Sequence, residues 1–158
     1  MKIKVLVLGV ALLFSCAIFS QDKAIKANPL GLAFGIANAG YEFTTKDNQT
    51  ATISGIYYGV SGIKGFGAGA EYRFYFSTGE ALKGWHAGPS LGYLSLEDDF
   101  NNSASVFTLG GEAGHQWVFD SGFLIDVFAG VGYVTGGDDL SGLNSTAIGL
   151  GFSLGYAW

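Results

Sequence analysis

From Ala147 to Trp158 the chain alternates large and small residues without a break. Ile148, Leu150, Phe152, Leu154, Tyr156 and Trp158 share one parity, and Ala147, Gly149, Gly151, Ser153, Gly155 and Ala157 share the other. Period two sends successive side chains to opposite faces of a strand, whereas a helix needs a repeat near 3.6. The same alternation runs from Phe123 to Thr135, where Phe123, Ile125, Val127, Val131 and Tyr133 oppose Asp126, Gly130 and Gly132. It returns from Gly65 to Phe76, where Phe66, Tyr72, Phe74 and Phe76 oppose Gly65, Gly67, Gly69, Glu71, Arg73 and Tyr75. Long strands with one bulky and one small face admit few architectures, and the chain is read as all-β.

What occupies the small face decides which side is inside. A soluble barrel fills its interior with the large residues and turns Lys, Glu and Thr to water. Here the second face is mostly glycine, alanine and serine with a few charges, and the 158 residues include 26 glycines, 15% aromatics and only 13% charged residues. Glycine suits the crowded lumen of a narrow barrel whose apolar wall meets lipid. Within the predicted strands the charges are Glu42, Glu71, Arg73, Glu112 and Asp126, all on the small face; the rest fall in the N-terminal segment or the connections. A basic residue on the lipid face at midplane costs about 2–4 kcal/mol, so this segregation is what a membrane imposes. A net charge of −5 with eight basic residues and no basic run makes nucleic acid an unsuitable partner. The single cysteine, Cys16, excludes a disulfide framework.

Turn-rich clusters fall at Lys46–Gln49, Ser61–Lys64, Thr78–Lys83, Glu97–Ser103, Asp120–Gly122 and Gly136–Asn144. They delimit seven segments. The first, Ala24–Thr45, is twice the usual length and changes phase, with Leu30, Leu32 and Phe34 on even positions but Ala39, Tyr41 and Phe43 on odd ones. Splitting it around Gly35–Ala37 predicts an eight-stranded antiparallel transmembrane β-barrel, each strand about the 9–11 residues a tilted strand needs to cross. With both termini periplasmic, the turns at 35–37, 61–64, 97–103 and 136–144 face outward. Tyr41, Phe76, Trp85, Trp117, Phe123 and Trp158 then ring the periplasmic end, and Phe66, Tyr93, Phe107 and Tyr133 the other. Pro89 falls inside a predicted strand, where it removes a ladder donor, and a local bulge is expected there.

Residues 1–20 carry Lys2 and Lys4, an apolar run from Val5 to Phe19 and the small residue Ser20, the pattern of a secretory signal peptide. Cleavage there leaves residues 21–158 as the barrel domain; lipidation at Cys16, within Leu13-Phe-Ser-Cys16, is the alternative. At the level of pattern the remainder resembles the small bacterial outer-membrane β-barrel proteins, the OmpA transmembrane domain, OmpX and OmpW-like group. The most specific element is the last strand, in which Phe152, Leu154, Tyr156 and the aromatic terminus Trp158 are similar to that group's assembly signal. Asn28-Pro-Leu-Gly-Leu, Gly40-Tyr-Glu42 and Glu71-Tyr-Arg-Phe-Tyr-Phe76, with Gly88-Pro89 following, resemble a subfamily of such barrels without an assigned biochemical role. The resemblance implies insertion by the barrel-assembly machinery and residence in the outer membrane of a Gram-negative bacterium. Outer-membrane lipid and lipopolysaccharide are the implied surroundings, and a monomer is expected.

Glu42, Glu71, Arg73, Glu112 and Asp126, with Gln116, project into the lumen on this reading. Eight strands leave an interior just wide enough for side chains, so these form a polar network that fills it. Buried charges must be paired, and four acids against one arginine is an imbalance. Gly-x-Ser-x-Gly occurs around Ser90 and around Ser153. The hydrolase version of that motif requires a strand-to-helix turn, and neither copy precedes a predicted helix. His86 is placed in the lumen and His115 outside, both near the periplasmic end and away from outer-leaflet chemistry. The acidic stretches Glu97–Asn102 and Gly136–Gly142 lack the spacing of a twelve-residue calcium loop. The expectation is a non-enzymatic barrel with a structural or surface-interaction role and no cofactor or metal. The alternatives are a narrow channel for small solutes and, third, a lipid-modifying hydrolase.

Overall fold

A computed structural model describes residues 21–76, 80–100, 102–136 and 144–158; residues 1–20, predicted as the signal peptide, and most of the 136–144 connection lie outside the described residues. Eight strands form one closed antiparallel barrel in sequence order: β1 (Lys23–Ala27), β2 (Ile36–Lys46), β3 (Gln49–Val60), β4 (Ile63–Tyr75), β5 (Gly84–Asp98), β6 (Ser103–Val118), β7 (Phe123–Gly136) and β8 (Asn144–Ala157). Closure is made by β1 on β8, from Ala24↔Ala157 to Ala27↔Leu154. Reciprocal backbone bonds between Lys23 and Trp158, of 3.1 and 2.9 Å, join the start of β1 to the residue after β8.

Every strand after β1 is 11–16 residues long, but β1 has only five. The sequence predicts strand up to about Phe34; the structure instead turns into a short helix, α1 (Pro29–Ala33). The Asn28 side chain accepts a hydrogen bond from the Gly31 N–H at 2.9 Å, and Pro29 begins the helix where its missing N–H costs nothing. Gly35, at φ 81°, then reverses the chain into β2. The phase change at 24–45 is therefore a helical turn between strands. Ser61 and Gly62, both at positive φ, make a two-residue hairpin, and several predicted turns shrink in the same way. Lys46, Lys64, Glu97 and Asp98 consequently lie on strand ends, where the sequence placed them in connections.

Pro89 is accommodated without the expected bulge. The β4–β5 register is the same on both sides of it, Glu71↔Ser90 and Phe74↔Ala87, and the ladder lapses between. The β5–β6 ladder continues through Pro89↔Gly111. The proline thus omits one ladder bond on its β4 side while the next strand holds the register.

The barrel is inverted relative to a soluble one. Leu109 and Leu150 on its outer wall are 67% and 89% exposed, whereas Glu42, Gln116 and Asp126 inside are 0% exposed. Outward aromatics gather at both ends: Tyr41, Trp158 and Tyr156 adjoin one another, as do Trp85, His115 and Trp117, near the termini, with Tyr57–Phe66 and Tyr93–Phe107 pairs at the far end.

Room for a side chain differs between the lumen and the wall. A Cβ at inward-facing Gly88 would strike the Tyr72 backbone carbonyl, whereas one at Gly55, on the exposed outer face of β3, would meet nothing within 4 Å. Gly88→Ala is expected to lower unfolding stability by about 2 kcal/mol, as over-packing does, while Gly55→Ala leaves it nearly unchanged. Urea titration of the refolded barrel, followed by tryptophan fluorescence, measures both; equal losses would contradict the packing described.

Candidate functional site

Period two turns Lys26, Glu42, Thr50, Arg73, Tyr75, His86, Glu112, Gln116 and Asp126 inward from seven strands, and all are buried. Arg73 is the hub. Its Nη1 lies 2.7 Å from Asp126 Oδ2, and its Nη2 lies 2.7 Å from Glu112 Oε1 and 2.8 Å from Glu71 Oε2. The guanidinium carbon sits 5.6 Å from the centre of the Phe128 ring. That ring has space because Gly151 faces it: a Cβ there would overlap the ring atoms.

Lys26 is the second hub. Its Nζ is 2.7 Å from Glu42 Oε2 and 3.1 Å from Asp126 Oδ2, and it donates to Gln116 Oε1 at 3.2 Å. Glu42 Oε1 also accepts from the Thr50 and Tyr75 hydroxyls at 2.6 and 2.7 Å. His86 Nε2 lies 3.0 Å from Asp126 Oδ1. Glu42, Lys26, Asp126, Arg73, Glu71 and Glu112 thus form one connected chain of charges.

All six network residues expected from the sequence meet here, with Lys26 added. The sequence reading counted Lys26 with the N-terminal segment, so its one-cation lumen is corrected to two. Lys26 shares the inward parity of buried Ala24, but β1 is too short for alternation to reveal it.

Below this layer, at the end where Lys23 and Trp158 pair, residues 80–83 before β5 lie under the barrel. Leu82 is 1% exposed and packs with Ala24, Val118, Leu124 and Ala157. Its backbone is left-handed at φ 67°, an unfavourable conformation for leucine. Burial of the side chain and a 2.7 Å hydrogen bond from Gln116 Nε2 to its carbonyl hold it there. No sequence periodicity could have marked this plug, because it sits in a turn. A polar cleft of about 480 Å³ with Asp22, Asp47, Glu80 and Lys83 in its wall lies beyond it.

Above the network the lumen opens into a vestibule at the far end. One part, of about 340 Å³, is lined by Asn38, Ser54, Glu71, Ser90, Thr108 and Glu112. An adjoining part of about 300 Å³ shares Asn38, Ser90, Thr108 and Glu112 and extends past Phe128 to Ala147, Gly149 and Leu150. The lumen is therefore a blind cup whose floor is the charge network.

The hydrolase residues are not assembled. Ser90 lies in the vestibule wall on β5, Ser153 stands opposite Asp126 on β8, and neither Gly-x-Ser-x-Gly copy meets a helix. His86 is engaged by Asp126, and His115 lies outside between Trp85 and Trp117 at 5.0 and 4.3 Å. Among the described residues neither serine hydrogen-bonds a histidine, and no cluster of three His, Cys, Asp or Glu residues could hold a metal ion. In the acidic β5–β6 turn, Asp98 instead accepts from the Phe100 and Asn102 N–H groups and from Asn102 Nδ2, each at 2.9 Å, and so builds the turn itself.

These features define a small eight-stranded barrel with an apolar wall and a plugged, charged lumen. The chain belongs to a family described as a protein of unknown function (DUF3575), whose model matches residues 5–145. Its fold is similar to that of the crystal structure of the N-terminal β-barrel domain of Pseudomonas aeruginosa OprF. The TM-score is 0.60 at 14% identity, covering 88% of this chain and 98% of that one. No curated protein matches it in sequence. The OmpA-like resemblance read from the sequence agrees with this likeness at the level of fold.

Removing one member of a buried charge pair strands the other, at about 3–5 kcal/mol. Lys26→Met and Arg73→Met are each expected to lose that much stability in urea unfolding. Glu71→Gln, at the more exposed vestibule side, loses less. A Lys26→Met barrel as stable as the parent would remove Lys26 from the network. Leu82→Ala is expected to cost about 2–4 kcal/mol, read in the same titration.

Proposed function

We propose that the chain is an integral outer-membrane β-barrel of a Gram-negative bacterium, delivered by the signal peptide at 1–20. On this reading the barrel-assembly machinery inserts it using the strand that carries Phe152, Leu154, Tyr156 and Trp158. It is non-enzymatic and has a structural or surface-interaction role, with the acidic far-end turns meeting the medium or lipopolysaccharide. One observation carries the reading: large apolar side chains are exposed around the wall while charges are buried in the lumen. In water that arrangement leaves apolar surface uncompensated; in a bilayer the same wall is solvated, and backbone groups are satisfied wherever neighbouring strands pair. Trp85, Trp117 and Trp158 at one end and Tyr93 and Tyr133 at the other suit the two interfaces.

The plug favours a closed barrel. Between the vestibule and the cleft at the termini end lie Arg73, Lys26 and Leu82, none more than 5% exposed. The second reading, a narrow channel, draws on how thin that barrier is, since Glu71 and Glu112 already line the vestibule.

Three measurements test these readings. The protein recovered from outer-membrane fractions is expected to migrate faster on gels unheated than boiled, and recovery as a soluble periplasmic protein would end the membrane reading. Deletion of Trp158 is expected to abolish insertion. In planar bilayers the wild type is expected to be silent, with conductance appearing in Leu82→Gly combined with Arg73→Met. Steady wild-type conductance that changes with Glu71→Gln would establish the channel instead.

A further inference from the structure

The barrel is closed unequally. Reciprocal bonds between Lys23 and Trp158 fix which β8 residues address β1, and the alternation of an antiparallel ladder makes these the even-numbered ones. Tyr156 and Leu154 meet Ile25 and Ala27, and there β1 ends. Residues 144–153 of β8 continue paired only to β7, so the peptide groups of Phe152, Leu150 and Ile148 point into the seam with β2, where α1 lies against both strands. Unpaired backbone groups at hydrocarbon depth are costly, and such an edge is tolerated only where it is buried in protein or lines a water-filled cavity.

The vestibule adjoins it. The part nearest the seam is bounded by inward-facing Ala147 and Gly149 and by Leu150, whose side chain stands on the outer wall. No atom lies within 4 Å of where a Gly149 Cβ would stand. Ile148 and Leu150 are 82% and 89% exposed, and Leu30, Leu32 and Phe34 on and beside α1 are exposed at the same end of the barrel. Deeper in, Asn38, Ser90 and Thr108 offer hydrogen bonds above Glu112.

We propose that this seam between β8 and β2 is a lateral doorway, and that the vestibule binds a single-chain amphiphile with an uncharged, hydroxyl-bearing head. The proposal rests on the membrane reading above. The head hydrogen-bonds Asn38, Ser90 and Thr108. The alkyl chain lies against Phe128, Ala147 and Gly149 and leaves past Leu150 into the surrounding lipid. Glu71 and Glu112 in the floor disfavour a phosphate or carboxylate head, because Arg73 already serves both acids.

The test uses the barrel in phosphatidylcholine nanodiscs with radiolabelled monooleoylglycerol as the probe. Expected is saturable binding above empty nanodiscs, weakened about tenfold or more, or about 1.4 kcal/mol, by Gly149→Leu and by Ala147→Phe but not by Leu109→Ala on the opposite wall. Oleoyl lysophosphatidic acid is expected to compete poorly. Binding no greater than in empty nanodiscs, binding indifferent to Gly149→Leu, or equal competition by the phosphate-headed lipid overturns the proposal. Amide exchange provides a measurement free of mutations. Ile148, Leu150 and Phe152 are expected to exchange much faster than Gly149 and Gly151, whose N–H groups face β7, and to slow when monooleoylglycerol binds. Uniform protection from 147 to 153 means the edge is already paired and overturns the doorway. Failure to form a heat-modifiable, bilayer-inserted barrel defeats the membrane reading; insertion without saturable binding defeats the doorway alone.

Discussion

Arg73 and Lys26 hold the interior together. Four carboxylates project into a lumen too narrow to hydrate them freely, and without two cations among them the inward faces of β2, β4, β6 and β7 would repel. Asp126 accepts from both cations and from His86, so it joins the two halves of the network. The pairing also fixes register. A one-residue slip would turn these charges onto the apolar wall, where no partner and no water await them.

The lumen's small residues follow from the same crowding. Long inward side chains on β1, β4, β6 and β7 require their opposite numbers to be short, and Gly151 beneath Phe128 is the clearest instance. Large residues are thereby displaced to the outside, and the wall becomes a hydrocarbon-compatible surface bounded by aromatics at both ends. Plug, wall and far-end vestibule are three consequences of one narrow, charge-filled barrel. The vestibule survives because the network occupies only the half of the lumen nearer the termini.

Much of this was legible in one dimension. Alternation marked β4, β7 and β8 and assigned Glu42, Glu71, Arg73, Glu112, Gln116 and Asp126 to the lumen, because parity is a local property that barrel closure does not alter. The eighth strand was inferred from a phase change, but its form was missed. Asn28 and Pro29 carry a helix start that five residues of flanking strand could not set in relief. Lys26 was missed for the same reason. Leu82 was invisible because its burial depends on a turn folding beneath strands distant in sequence, and Pro89 was misread because its neighbour β6 holds the register that β4 releases.

The sequence by itself determined the strand faces, the strand number and the inversion of polarity, since each is written in residue parity and in where charges are permitted. Only the tertiary structure decided which cation meets which carboxylate, that Leu82 seals one end, and that β1 stops at Ala27 and leaves the upper edge of β8 unmatched. Those features depend on distances between strands far apart in the chain. Closure of the barrel sets such distances, and a repeat of two along a single strand carries no information about them.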